Sequence, residues 1–252
     1  MPPCVTPTNQ PTVLNLTPSY NSISASFTPS VDYPAVDHYL ILRSTLSTFT
    51  ATPGDGATYT VGSSTAFAGG TVVAYQTGTS FVDTGLVSNT QYYYFIYSAN
   101  SICSNGPNYL AVSPLTGNAT TTCAIPLAQP TVLVLTPALT SVDGSYTASA
   151  SADNYLIIRS TTATLNANPV NGTNYTVGTT LGGGTVIAYQ SGLTFTDINL
   201  NTGTKYYYFI FAANSIGCYG GPTYLNVAPL TGNAITNCGT PVSYTHLTLP
   251  TN

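Results

Sequence analysis

The chain has 252 residues, only 4% of them charged, and a formal net charge of −4. Arg43, Arg159 and Lys205 are its only cations. They are too few for the basic patch that nucleic acid demands or for polybasic attachment to anionic lipid. All seven acids are Asp. Surface helices carry charged faces, so this composition argues against helix. A surface of Thr, Ser, Asn, Gly and Tyr suits strands and turns instead.

Short apolar-alternating runs between Pro, Gly and Asn turns predict strands near 11–17, 22–28, 37–44, 71–76, 80–84, 91–99 and 113–121. A second series follows near 130–136, 141–147, 153–160, 185–190, 194–198, 205–213 and 228–236. The two series are copies. Cys4-x-x-Pro7, Cys123-x-x-Pro126 and Cys238-x-x-Pro241 open successive units at a period of roughly 115 to 119 residues. Tyr39-Leu-Ile-Leu-Arg43-Ser44 answers Tyr155-Leu-Ile-Ile-Arg159-Ser160, and Phe81-x-Asp83 answers Phe195-x-Asp197. Each copy is long enough to bury its own core. The expected organisation is repeat 1 over 4–122, repeat 2 over 123–237, and the start of a third repeat at 238–241. The run 242–252 resembles one reading frame of a sequencing adapter and is set aside as a non-native tail. Met1-Pro-Pro-Cys4 opens directly onto a repeat, so the natural start is expected upstream. No stretch is long and apolar enough to cross a membrane.

Five cysteines at repeat-related positions favour disulfides and an oxidising compartment. They lack zinc-ligand spacing, and no cofactor is implied. Two pairings are open. Cys4 joins Cys103 and Cys123 joins Cys218, or Cys103 joins Cys123 and Cys218 joins Cys238.

The run Leu86-x-x-x-Thr90-x-Tyr92-x-Tyr94-x-Ile96, repeated as Leu200-x-x-x-Thr204-x-Tyr206-x-Tyr208-x-Ile210, resembles the sixth strand of fibronectin type III domains. The resemblance implies tandem all-β, immunoglobulin-like sandwiches, with Tyr92 and Tyr206 as tyrosine corners. Tyr39-x-Ile41 and Tyr155-x-Ile157 resemble the third strand of that family. Phe27 and Tyr146 stand where it usually has a core Trp. Each unit is longer than a typical member, the excess lying in Gly-rich excursions at 53–70 and 169–184. The resemblance also decides between the disulfide schemes. In that sandwich the loop before the last strand lies beside the domain's own N-terminus, while the last strand carries Cys123 roughly 25 Å away. A disulfide tolerates Cα separations of only about 4.4–6.8 Å. The implied pairs are therefore Cys4–Cys103 and Cys123–Cys218, with Cys238 unpaired.

No catalytic constellation is legible. His38 is the only His before residue 246, and repeat 2 has Asn154 there. Asp83 and Asp197 lack the clustered carboxylates of a calcium site and read as turn residues bonding the backbone. Arg43 and Arg159 read as partners in an ion pair or carbonyl contacts within each domain. Strand alternation puts Tyr92, Tyr94 and Ile96 on the core face. It puts Tyr93, Phe95, Tyr97, Tyr207, Phe209 and Phe211 on the outer face. There they form a contact surface, unless the Gly-rich excursions fold over them.

The functional expectation is a non-enzymatic stalk, fibre or adhesin segment of a secreted bacterial surface protein, the bacterial source resting on resemblance to long multi-repeat surface proteins. Its partners would be neighbouring repeats, and a polysaccharide or another surface protein. The competing expectation is a carbohydrate-binding or spacer module of a secreted hydrolase.

Overall fold

The computed structural model describes residues 1–32, 36–48 and 52–239. The adapter-like run 242–252 lies outside the described residues. The chain divides into two compact units, residues 1–124 with 218–220, and 125–217 with 221 onward. Among the described residues all regular structure is strand.

Unit 1 contains β1 (Thr12–Pro18), β2 (Ser22–Thr28), β3 (His38–Ser44), β4 (Gly70–Gln76), β5 (Ser80–Thr84), β6 (Gln91–Asn100), β7 (Asn108–Tyr109) and β8 (Leu115–Thr120). They form two antiparallel sheets. One has the order β1-β2-β5; the other has β4-β3-β6, with both β7 and β8 paired to β6. Unit 2 contains β9 (Thr131–Pro137), β10 (Val142–Thr147), β11 (Asn154–Ser160), β12 (Thr180–Leu181), β13 (Gly184–Gln190), β14 (Thr194–Asp197), β15 (Lys205–Asn214), β16 (Thr223–Tyr224) and β17 (Leu230–Ile235). Its sheets are β9-β10-β14 and β12-β13-β11-β15, with β16 and β17 paired to β15. A three-stranded sheet facing a sheet of five strands in unit 1 and six in unit 2, all antiparallel, makes each unit a fibronectin type III-like β-sandwich.

The alternation that marks the strands also builds the core. In β2, Ile23, Ala25 and Phe27 point inward and the intervening serines point out. They meet Tyr39 and Ile41 of β3 and Tyr92, Tyr94 and Ile96 of β6 in one buried cluster. Phe27 packs edge-on against Tyr39 at 4.9 Å, and Tyr146 against Tyr155 at 5.0 Å. Two aromatic rings per unit thus occupy the interior where the fibronectin pattern expects Trp.

Strands β3 and β6 are apolar on both faces, and both faces are covered. Leu40, Leu42, Phe95, Tyr97 and Ala99 turn away from the first cluster and form a second one with Phe67, Val72 and Tyr109. Unit 2 matches it with Leu156, Ile158, Phe209, Phe211 and Ala213 against Leu181, Val186 and Tyr224. Phe67 and Leu181 come from the Gly-rich excursions. The excess length of each repeat is therefore a third layer. It also shields the sheet edge: Gly62 N donates to Val72 O and Val72 N to Ser63 O. In unit 2, Gly178 N donates to Val186 O, and β12 pairs with β13. An otherwise open edge is thereby blocked against pairing with other chains.

Candidate functional site

The outer face of the larger sheet in each unit carries the aromatic row singled out by the sequence. The structure corrects its exposure. Phe95, Tyr97, Phe209 and Phe211 are at most 6% exposed, beneath the excursions. Tyr93 and Tyr207 are half-buried at the end of each row. The cover is fixed by hydrogen bonds. In unit 1, Tyr109 N donates to Asp55 Oδ1 at 2.8 Å and Tyr109 Oη to Ala57 O at 2.9 Å. In unit 2, Tyr224 N donates to Asn171 Oδ1 and Tyr224 Oη to Thr173 O, both at 2.8 Å. An Asp in one copy and an Asn in the other do the same work because only the acceptor oxygen is used.

Four tyrosines share one device. The hydroxyls of Tyr92 and Tyr206 accept the backbone N–H of Val87 and Asn201, each at 3.0 Å. Tyr59 and Tyr175, in the excursions, accept from Gly54 at 2.9 Å and Val170 at 3.0 Å. In every case the donor lies five residues upstream. Each ring locks the turn that precedes it, so the added layer uses the same fastening as the sandwich.

Asp83 and Asp197 are strand residues, not turn residues bonding the backbone. Each is buried at the end of the inter-sheet core. Asp83 accepts Arg43 Nη1 at 2.8 Å on one oxygen and Tyr94 Oη at 2.9 Å on the other. Asp197 accepts Arg159 Nη1 at 2.9 Å and Tyr208 Oη at 3.0 Å. The guanidinium also lies over the Tyr92 ring in unit 1 and the Tyr206 ring in unit 2. Burial raises the Asp197 carboxyl above the ordinary range, against the opposing pull of Arg159 and Tyr208. Burial and the adjacent Asp push the hydroxyls of Tyr94 and Tyr208 well above 10. Such tyrosines stay protonated and act as hydrogen-bond donors.

His38 opens β3, bonds Asp37 Oδ1 at 2.9 Å and stacks on Tyr75. Asp37 in turn accepts Ser101 N and Ile102 N, and Asp153 accepts Ser215 N and Ile216 N. These carboxylates hold the loops that carry Cys103 and Cys218. Cys4 is joined to Cys103 with Cα atoms 5.0 Å apart, and Cys123 to Cys218 at 5.4 Å. Both Cys123 and Cys218 group with unit 1. Cys238 is free and exposed. Among the described residues no three His, Cys, Asp or Glu side chains gather as a metal site, and no helix is long and apolar enough to cross a membrane.

Sequence reasoning missed several recurring clamps. Gln10 donates to Leu110 O and Val112 O while accepting from Ser98 N; Gln129 does the same with Leu225, Val227 and Ala212. Its repetition in Gln-Pro at both repeat starts was the available signal.

No protein-family model and no curated protein matches the chain. Among solved structures, the chain is similar to a two-fibronectin type III domain segment of chicken tenascin at 16% identity and a TM-score of 0.37. That match covers 90% of this chain and 99% of that one. It is also similar to the FN1–FN3 domains of chicken CNTN1 at 14% identity and a TM-score of 0.38, covering 94% of this chain and 68% of that one.

Proposed function

We propose that the chain is a non-enzymatic, extracellular structural or adhesive segment: repeat 1 over 4–122, repeat 2 over 123–237, and the opening of a third at 238–241. In this reading the repeats hold a functional domain away from a bacterial cell surface, in contact chiefly with neighbouring repeats. The observation that carries it is the internal use of polar chemistry. The same Arg–Asp–Tyr cluster, the same tyrosine fastenings and the same Asp-held loops recur in both copies, each directed at the chain itself. Disulfides add constraint suited to an oxidising exterior. Arg43 and Arg159 sit within central strands, and Lys205 begins β15 with its Nζ 5.1 Å from the Tyr207 ring centre. Trypsin-like proteases therefore meet few cleavable bonds.

Digestion of the folded chain by trypsin without reductant tests this. Survival of both units is expected, and rapid loss of both sinks the reading. Long-read sequencing of the source DNA separates the alternatives. Further Cys-x-x-Pro repeats leading to an anchoring domain fit a stalk. A neighbouring catalytic domain makes these units spacers of a hydrolase.

A further inference from the structure

Each excursion stops short of one end of its sheet, and both units leave the same groove there. In unit 1 it measures 270 Å³ and in unit 2 240 Å³. The floor follows from register. Tyr93 pairs with Asn118 and Phe95 with Thr116; Tyr207 pairs with Asn233 and Phe209 with Thr231. Directly paired residues lie on one face. Each groove thus sets one half-buried ring, Tyr93 or Tyr207, on the inner strand beside an amide and a hydroxyl on the edge strand, with Phe95 or Phe209 already buried. Asn118, Thr116, Asn233 and Thr231 are all exposed.

We propose that these grooves are paired binding sites for a neutral polysaccharide of hexopyranose units. The inference goes beyond the scaffold reading and does not rest on it. Four features select this occupant. Neighbouring strands lie about 4.8 Å apart and alternate residues about 6.7 Å apart, so the floor has the footprint of one pyranose ring. An aromatic ring matches the apolar face of a sugar, while Asn and Thr offer a donor and acceptors to its hydroxyls. No carboxylate lines either groove, which removes the partner a cationic peptide would need. The site is also duplicated, one groove in each unit, so a polymer of repeating units offers each copy the same ligand. The grooves differ at one rim. Gln91 donates to Asn118 Oδ1 at 3.0 Å in unit 1, whereas Lys205 lies over Tyr207 in unit 2. The Lys205 ammonium therefore competes with a sugar for the Tyr207 ring in unit 2, as the Gln91 amide does for the Asn118 oxygen in unit 1.

Affinity electrophoresis in native gels tests the proposal. The probes are hydroxyethylcellulose, galactomannan and laminarin, with dextran sulfate as the charged control. The full chain is expected to be retarded by at least one neutral polymer and not by dextran sulfate. Asn118→Ala with Asn233→Ala should abolish retardation, while Asn233→Ala alone should weaken it by leaving one site in place of two. Thr116→Val with Thr231→Val gives a second pair, conservative in shape, should the first disturb folding. No retardation by any neutral polymer overturns the proposal, as does retardation unchanged in both variant pairs. Either failure leaves the trypsin result, and hence the scaffold reading, untouched.

Discussion

Arg43 reaches Asp83 from the opposite sheet, Nη1 to Oδ1 at 2.8 Å, and Arg159 repeats the contact with Asp197 at 2.9 Å. The two sheets of each sandwich are thus tied by an ion pair at the end of the core. The Asp is nearly sealed from water and the Arg about one-fifth exposed. Removing one partner strands the other. Asp83→Asn or Arg43→Met should cost about 3 kcal/mol, whereas replacing both by apolar residues of similar volume should be close to neutral. Urea unfolding of the three variants reads this directly, and equal losses in the single and double variants would refute the pairing.

The same cluster sets a pH dependence. The folded Asp197 carboxyl titrates above its ordinary 3.8. Between those two values the folded chain holds more protons than the unfolded one. Stability therefore rises as pH falls through the folded value and levels off below 3.8. Asp32 works the other way. Hydrogen bonds from Asn9 and Thr8 lower its pKa, so its contribution is full above 3.8 and is lost as pH falls through the lower folded value. Thermal melts from pH 7 to 3 should show a smaller gain on mild acidification in Asp197→Asn than in the wild type. An identical pH profile in the two proteins contradicts the assignment.

The tyrosine fastenings make a matched set. Tyr92→Phe and Tyr206→Phe keep the ring and remove the acceptor for Val87 N and Asn201 N. Each should cost about 1 kcal/mol. Tyr59→Phe and Tyr175→Phe should cost less, because their donors Gly54 and Val170 are exposed and can turn to water. Guanidinium unfolding that ranks the excursion pair above the sandwich pair would show that the added layer carries more of the stability than its burial implies.

The disulfides close separations of 99 and 95 residues. Chain entropy puts each at up to about 4.7 kcal/mol. Reduction should lower the unfolding midpoint sharply, and alkylation before reduction should label Cys238 alone. Non-reducing peptide maps that join Cys103 to Cys123 would refute the connectivity.

Seven strands of each unit were legible because most alternate between turn residues and a second copy repeated them, whereas the two-residue strands β7, β12 and β16 were too short to leave a pattern. An ion pair or carbonyl contact was expected of each Arg, but its Asp partner was not legible, since β3 and β5 lie in different sheets and some 40 residues apart. Its trace was present all the same: both Arg and both Asp recur in step, in a chain almost without other charges. The cover over the aromatic row left a plainer sign. Tyr39-Leu-Ile-Leu and Tyr92-Tyr-Tyr-Phe-Ile-Tyr are apolar without alternation, the mark of strands buried on both faces. The excursion itself hid its role, because Phe67 and Tyr59 are the only large rings among its Gly, Ser and Thr residues 53–70.

That layer gives the sharpest stability test. Phe67 is 1% exposed and packs against Tyr59 at 4.8 Å, above the row that includes Phe95 and Tyr97. Phe67→Ala should destabilise unit 1 by about 3 kcal/mol, and Leu181→Ala, its counterpart over Phe209 and Phe211, should do the same to unit 2 by about 2 kcal/mol. Amide exchange in β6 should quicken in the first variant and in β15 in the second, because both strands lose cover on one face. If neither substitution changed stability or exchange, the excursions would be loose loops. The aromatic rows would then stand open as contact surfaces along the whole outer face of each sheet.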